Sequence, residues 1–120
     1  MALERGKLSN VVRVAAGTTV GIITCASSKK VYIKSIICHA AGIGVNTATA
    51  QVYFCPTGIS SASTNKIFDV DVIAGETVLI EPSYPLVLDT TCDSLQVGTG
   101  NVIGAAATHV NFIITGDKEA

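Results

Sequence analysis

The sequence contains few residues that could act together in catalysis. Its two histidines, His39 and His109, lie far apart in the chain, and no Gly-x-Ser-x-Gly segment accompanies them. A nucleophile needs a base within hydrogen-bond reach and a third group that orients the base. We therefore expect both histidines to be ordinary strand-end residues, and we expect the protein not to be an enzyme, with no catalytic residues.

Two aspartates spaced two residues apart are the best candidates for a metal site. Asp69 and Asp71 would lie on the same side of a strand, where their oxygens could approach a hard cation such as Ca²⁺. They alternate with Phe68, Val70 and Val72, a pattern that is typical of carboxylates in solvent and apolar residues in a core. Two ligands do not make a site, so we predict that the protein binds no metal.

A second pair of aspartates flanks a candidate turn. Asp89 and Asp93 lie on either side of a Thr-Thr-Cys segment. Aspartate side chains accept hydrogen bonds from nearby backbone N–H groups in turns. We therefore predict that this pair braces the turn.

The four cysteines show no metal-binding or redox spacing. Cys25, Cys38, Cys55 and Cys92 include no Cys-x-x-Cys pair. The sequence also shows no secretion signal that would imply an oxidising compartment. We interpret the four side chains as reduced, small, buried hydrophobic residues.

Ligand-binding signals are also sparse. The sequence has no Gly-rich phosphate-binding motif, so no cofactor and no cofactor-binding residue are predicted. Tyr32 and Tyr84 are the only candidates for surface aromatic residues that could contact a glycan. A net charge of -1 argues against direct nucleic-acid binding. No stretch of about 18 apolar residues is present, so we expect no membrane span.

The composition predicts an all-β protein. The 120 residues include 14 Val, 13 Ile and 13 Thr. These β-branched side chains fit a pleated sheet and lose rotamer freedom in a helix. Charged residues make up only 14% of the chain.

Runs of alternating hydrophobicity predict eight short strands. The predicted strands are Asn10–Ala15, Val20–Thr24, Val31–Cys38, Ala48–Phe54, Lys66–Val72, Thr77–Glu81, Ser94–Gly98 and His109–Thr115. Turn-forming residues separate them, as in a single antiparallel β-sandwich with either jelly-roll or Ig-like strand order. The predicted organisation is a short N-terminal arm (1–9), a sandwich domain (10–116) and a solvated C-terminal tail (117–120).

Two long tracts contain no charged residue: Ser35–Asn65 and Ser94–Gly116. A free monomer normally carries charge on its outward strand faces. One interpretation is that the tracts form the inner strands of the sandwich. The other is that part of them packs against identical or different subunits, because interfaces are depleted in charge. Both interpretations can hold together.

The order of the elements resembles that of small β-sandwich virion proteins of tailed bacteriophages, in particular capsid decoration, or cement, proteins. The resemblance is carried by the segments Leu3–Leu8, Val31–Gly42, Ala74–Glu81, Tyr84–Leu88, Asp93–Val97 and Val110–Gly116. These segments span nearly the whole chain. They contain no fixed functional motif, so no site residue is transferred.

The resemblance implies a non-enzymatic structural protein that decorates and stabilises an assembled capsid through protein–protein contacts. Its implied partners are the major capsid protein and copies of itself, with a homotrimer favoured. It would be made in the host cytoplasm and lie on the capsid surface of the virion. The alternative is a tail or neck component, including a compact host-surface adhesion module.

Overall fold

The computed structural model describes residues 3–15, 17–26, 29–41, 47–57, 59–103 and 109–119. These residues form ten β-strands and one 3₁₀ turn at Ser63–Asn65. The strands are β1 (Leu3–Lys7), β2 (Val12–Ala15), β3 (Thr18–Thr24), β4 (Val31–Ala41), β5 (Thr47–Cys55), β6 (Lys66–Ile73), β7 (Thr77–Ile80), β8 (Leu86–Leu88), β9 (Ser94–Ile103) and β10 (His109–Glu119). The predicted all-β sandwich is confirmed.

The strand order selects the jelly roll. The first sheet has the order β1-β10-β4-β7, with β2 also paired to β10 and β8 also paired to β4. The second sheet has the order β3-β9-β5-β6. Most successive strands pass between the sheets, and the early strand β2 lies beside the last strand β10. This order differs from the Ig fold and matches a double-sheet jelly roll.

The two sheets bury their facing sides against each other. Along β10, Val110, Phe112 and Ile114 are fully buried, whereas the intervening residues are half-buried. Leu95 and Val97 of β9 are fully buried on the facing sheet. Each side chain of this size contributes about 1.5–3 kcal/mol when it is removed from water. The alternation seen in the sequence therefore reflects the hydrophobic core.

The charge-free tracts contribute the inner strands of both sheets. β4 and β10 are central in the first sheet, and β5 and β9 are central in the second. β5 and β9 lie entirely within the tracts, and so do most residues of β4 and β10. Residues 42–46, 58 and 104–108 of the tracts lie outside the described residues. The inner-strand interpretation is confirmed.

The N-terminal segment is a strand of the sandwich. β1 pairs antiparallel with the end of β10, from Leu3 opposite Glu119 to Lys7 opposite Thr115. The description of residues 1–9 as an arm separate from the sandwich is therefore wrong for 3–7. Local alternation is absent here, and the strand forms because β10 offers it an open edge.

The C-terminal segment was also predicted wrongly, because β10 continues to Glu119. Asp117 is buried, and its carboxylate lies 2.8 Å from Lys34 Nζ and 3.8 Å from Arg5 Nε. These two cations compensate the burial of the carboxylate. The strands of the sandwich thus extend past both predicted boundaries. Met1, Ala2 and Ala120 lie outside the described residues.

Two short strands cover one edge of β4, and only the first of them, β7, was predicted from the sequence. β7 and β8 lie end to end along β4, opposite residues 36–39 and 31–33 respectively. Pro82 and Pro85 fall between them, and proline cannot donate a ladder hydrogen bond. The short strand β8 was missed because three residues carry too little periodicity to be recognised.

Gly116 permits an irregularity in the pairing of β10 with β4. The register shifts between Thr115 and Gly116. A Cβ atom at Gly116 would clash with the carbonyl oxygen of Tyr32. The close approach of the two backbones therefore requires a residue without a side chain.

We expect Val97→Asp to lower the free energy of unfolding by about 3 kcal/mol or more, because it buries an unpaired charge in the core. Gln96→Asp is the matched control, since the adjacent side chain lies on the outward face. Urea denaturation of both variants measures the difference. Equal midpoints for the two variants would show that the orientation of β9 is wrong.

We expect Gly116→Ala to lower the free energy of unfolding by about 2 kcal/mol or more, because the methyl group forces β10 away from β4. Gly21→Ala is the control, since a Cβ atom there meets nothing within 4 Å. Thermal unfolding followed by circular dichroism makes the comparison. A wild-type melting temperature for Gly116→Ala would contradict the close approach.

Candidate functional site

Three apolar side chains form a row across the outward face of the first sheet. Ile37 of β4 lies opposite Ile113 of β10 on one side and Leu79 of β7 on the other. Their neighbours along β4 and β10 point into the core, so these three side chains point outward. Leu79 is 53% exposed, and both isoleucines are half-buried. We call these three residues the apolar row.

Both histidines lie on this face, His39 beside Ile37 of the apolar row and His109 one cross-strand pair further away. His39 is opposite Asn111, and His109 is opposite Ala41, so the two are diagonal neighbours on adjacent strands. His39 Nδ1 lies 2.9 Å from Thr77 Oγ1 in a cross-strand hydrogen bond. The predicted strand-end position is confirmed for His109, whereas β4 continues past His39 to Ala41. Their common face was not predicted, because it depends on the pairing of β4 with β10.

The two central strands of the second sheet, β5 and β9, contain no charged residue. The Tyr53 hydroxyl donates to Gln51 Oε1 at 3.0 Å. The Gln51 side chain lies close over two glycines of β9. A Cβ atom at Gly100 would come within 2.6 Å of Gln51 Nε2, and one at Gly98 within 3.3 Å of Gln51 Oε1. These glycines therefore let the polar side chain lie along the sheet.

Acidic residues border the outward face of this second sheet. Asp69 and Asp71 of β6 are exposed, as predicted. Asp69 pairs with Lys66 at 3.1 Å, and Asp71 accepts a hydrogen bond from Thr49 at 3.0 Å. Within the described ranges, no group of three or more His, Cys, Asp or Glu side chains could hold a metal ion.

Asp93 braces the turn at residues 90–93. Its buried carboxylate accepts hydrogen bonds from the backbone N–H of Thr90 and of Thr57, each at 3.1 Å. It also accepts one from the Thr57 hydroxyl at 3.2 Å. The predicted bracing role is confirmed for Asp93. Asp89 accepts a hydrogen bond from the Thr90 hydroxyl at 3.4 Å.

The cysteines divide into three buried thiols and one exposed thiol. All four are free, and Cys25, Cys38 and Cys55 are buried as expected. Burial raises the pKa of each of these three thiols, and that of Cys38 reaches about 12. Cys92 is exposed on the turn, so the prediction that it is buried is wrong. The apolar character of a cysteine does not show which side of a turn it occupies.

The remaining candidates from the sequence are scattered. Tyr84 is 84% exposed, whereas Tyr32 is half-buried on β4, so they do not form an evenly exposed aromatic pair. Lys29 and Lys30 help to line a groove of about 310 Å³ together with Lys118 and Glu119. In the described part of the chain, no helix is long and apolar enough to cross a membrane.

Comparison with known proteins finds similarity of fold only. No family model matches the chain, and no curated protein matches its sequence. A solved structure described as a Bacillus endospore appendage, from a family of disulfide-linked pili, is similar with a TM-score of 0.53 and 15% identity. The match covers 98% of this chain and 88% of the pilus chain.

A second similar structure comes from the Gx strain of infectious bursal disease virus. It has a TM-score of 0.45 and 12% identity, and the match covers 98% of this chain but 32% of the viral chain. The similarity to the pilus chain, at 15% identity, shows a shared fold and nothing finer. The chain is an all-β jelly-roll sandwich with an apolar row on the outward face of its first sheet.

We expect a small alkylating reagent to modify Cys92 in the native protein and to leave the three buried thiols unmodified. At a pKa of about 12, roughly one Cys38 thiol in ten thousand is ionised at pH 8. Alkylation needs the thiolate, so burial and low ionisation both slow the modification of Cys38. Mass spectrometry of digested protein identifies the labelled cysteine, and labelling in denaturant is the control. Native labelling of Cys38 at the rate of Cys92 would contradict this arrangement.

Proposed function

We propose that this protein is a non-enzymatic structural subunit that acts within a repeated protein assembly. The observation that carries the proposal is the apolar row, whose same-face neighbours along β4 and β10 include no Asp, Glu, Lys or Arg. The second sheet adds uncharged residues on its central strands β5 and β9, including Gln51 and Tyr53, which lie beside Asp69 and Lys66 of β6. Charged residues are depleted in the central parts of protein interfaces, where tyrosine is enriched.

Coverage by neighbouring subunits would remove the apolar row from water. The row has only three side chains, so one such contact contributes only modest binding energy. Many contacts on a lattice act together, because each bound subunit raises the effective concentration of the next contact. A protein that binds only the assembled lattice also stabilises it by mass action. Neither effect requires a catalytic group.

Within this class, we propose attachment to the outside of a bacteriophage capsid as a homotrimer that contacts the major capsid protein. The support is the resemblance of six sequence segments to capsid decoration proteins. The double-sheet jelly roll is also an architecture used by viral capsid domains. This assignment places the mature protein on the virion surface.

A second candidate is a subunit of a protein fibre. It is favoured by the similarity to the endospore pilus chain, which extends over 98% of this chain and 88% of the other. The two candidates differ in symmetry. A closed trimer has a fixed mass, whereas head-to-tail contacts that do not close produce filaments whose length grows with concentration.

Light scattering over a tenfold dilution, with negative-stain electron microscopy of the same samples, tests the proposal. We expect a constant trimer mass for the decoration role. Filaments would instead support the fibre candidate. A monomer at every concentration, with no binding to purified phage heads, would contradict both.

Leu79→Lys tests the apolar row directly. We expect it to weaken self-association about tenfold or more, because it places a charge in the centre of the contact. Ile59→Lys is a matched control, since Ile59 is also 53% exposed but lies in the segment after β5. Equal association of both variants and the wild type would show that the apolar row is not the contact.

A further inference from the structure

Cys25 and Cys92 face each other across a β-bulge. The backbone N–H of Cys25 donates to the carbonyl of Asp93 at 2.8 Å, and the N–H of Cys92 donates to the carbonyl of Cys25 at 3.1 Å. Cys92 and Asp93 thus oppose the single residue Cys25. The φ angle of Cys92 is 72°, in the left-handed region that the first residue of such a bulge adopts.

This backbone pairing brings the two cysteines within the range of a disulfide bond. Opposed residues of an antiparallel ladder have Cα atoms about 4.5–5.5 Å apart. Disulfides join residues whose Cα atoms are about 4.4–6.8 Å apart. Cys38 lies on β4 in the other sheet, so the backbone pairing that joins Cys25 to Cys92 does not extend to it.

The two thiols differ in accessibility. Cys25 Sγ is buried at the edge of the core and donates to the carbonyl oxygens of Lys29 at 2.9 Å and Leu88 at 3.5 Å. Cys92 is exposed on the turn. A soluble oxidant therefore meets Cys92 first, and Cys25 must turn away from these carbonyl groups to reach its partner.

We propose that Cys25 and Cys92 form an intramolecular disulfide when the protein meets a small disulfide such as oxidised glutathione. The Cys92 thiolate attacks one sulfur of oxidised glutathione, which forms a mixed disulfide and expels one glutathione thiolate. Cys25 then loses its proton to solvent and attacks Cys92 Sγ, which expels the second glutathione thiolate. Two protein thiols are oxidised, and one oxidised glutathione is reduced to two glutathione molecules.

The bond would join the end of β3 to the turn that precedes β9. These strands are neighbours in the second sheet, and Asp93 already ties the same turn to Thr57. The closed loop would contain all of the chain between the two cysteines, which is more than half of the protein, so the bond restricts the unfolded state. This inference does not depend on the proposed assembly, because both cysteines belong to one chain.

Intact mass spectrometry after incubation with oxidised glutathione tests the inference. We expect the wild-type monomer to lose two hydrogens, and unreduced peptide mapping to join the peptides of Cys25 and Cys92. The melting temperature should rise by about 5–15 °C and return to its original value after reduction. The second step should accelerate from pH 7 to pH 9, since burial raises the pKa of Cys25.

Three serine variants separate the possible products. Cys38→Ser should still form the bond, whereas Cys92→Ser should form neither the bond nor a glutathione adduct. Cys25→Ser should stop at the mixed disulfide on Cys92. If Cys25→Ser fails to fold, the exposed Cys92→Ser variant still decides the matter. A wild-type product that is a stable glutathione adduct, or a dimer joined through Cys92, would overturn the inference.

Discussion

The pairing of β4 with β10 is the constraint on which the rest of the sandwich depends. Each of these strands has eleven residues, whereas the strands at their outer edges have three to five. Two short strands therefore fill each edge: β1 and β2 along β10, and β7 and β8 along β4. Both edges are interrupted close to the register shift at Gly116, where a bulge increases local bending and twist. At one interruption, Ser9 Oγ accepts the N–H of Ile114 and so replaces a lost ladder hydrogen bond.

The local sequence pattern was sufficient to predict those strands whose formation does not depend on a particular neighbouring strand. The period-two runs that bury Phe112 or Val97 arise from the core and are visible in the sequence. β1 and β8 have no such pattern, because their formation depends on the open edges of β10 and β4. The burial of Asp117 was equally hidden, since a terminal Asp-Lys-Glu segment resembles a solvated tail. Its environment comes from Lys34 and Arg5, which are distant in sequence.

The candidate surfaces were predicted only as tracts without charge. The sheet topology was needed to tell which residues of a tract face a partner, because inward and outward residues alternate within each tract. Ile36 and Ile37 illustrate this point: the first is fully buried and the second belongs to the apolar row. The alignment of Ile37 with Ile113 and Leu79 depends on three strands separated in sequence. The exposure of Cys92 depends on a single left-handed residue, and neither periodicity nor composition reports backbone conformation.

Inward and outward side chains alternate along the central strands. The residues that stabilise the fold are therefore not the residues that are free to bind. Inward side chains hold the two sheets together, so a charge placed there opposes folding. Outward side chains such as Leu79 contribute little to the core, and a charge placed there leaves the sheets packed. Selection on an assembly contact can therefore change outward residues without disturbing the inward set. A core built this way needs no charge on its inner strands, but the core does not account for the apolar residues on their outward side, because Ile37, Ile113 and Leu79 lie outside it.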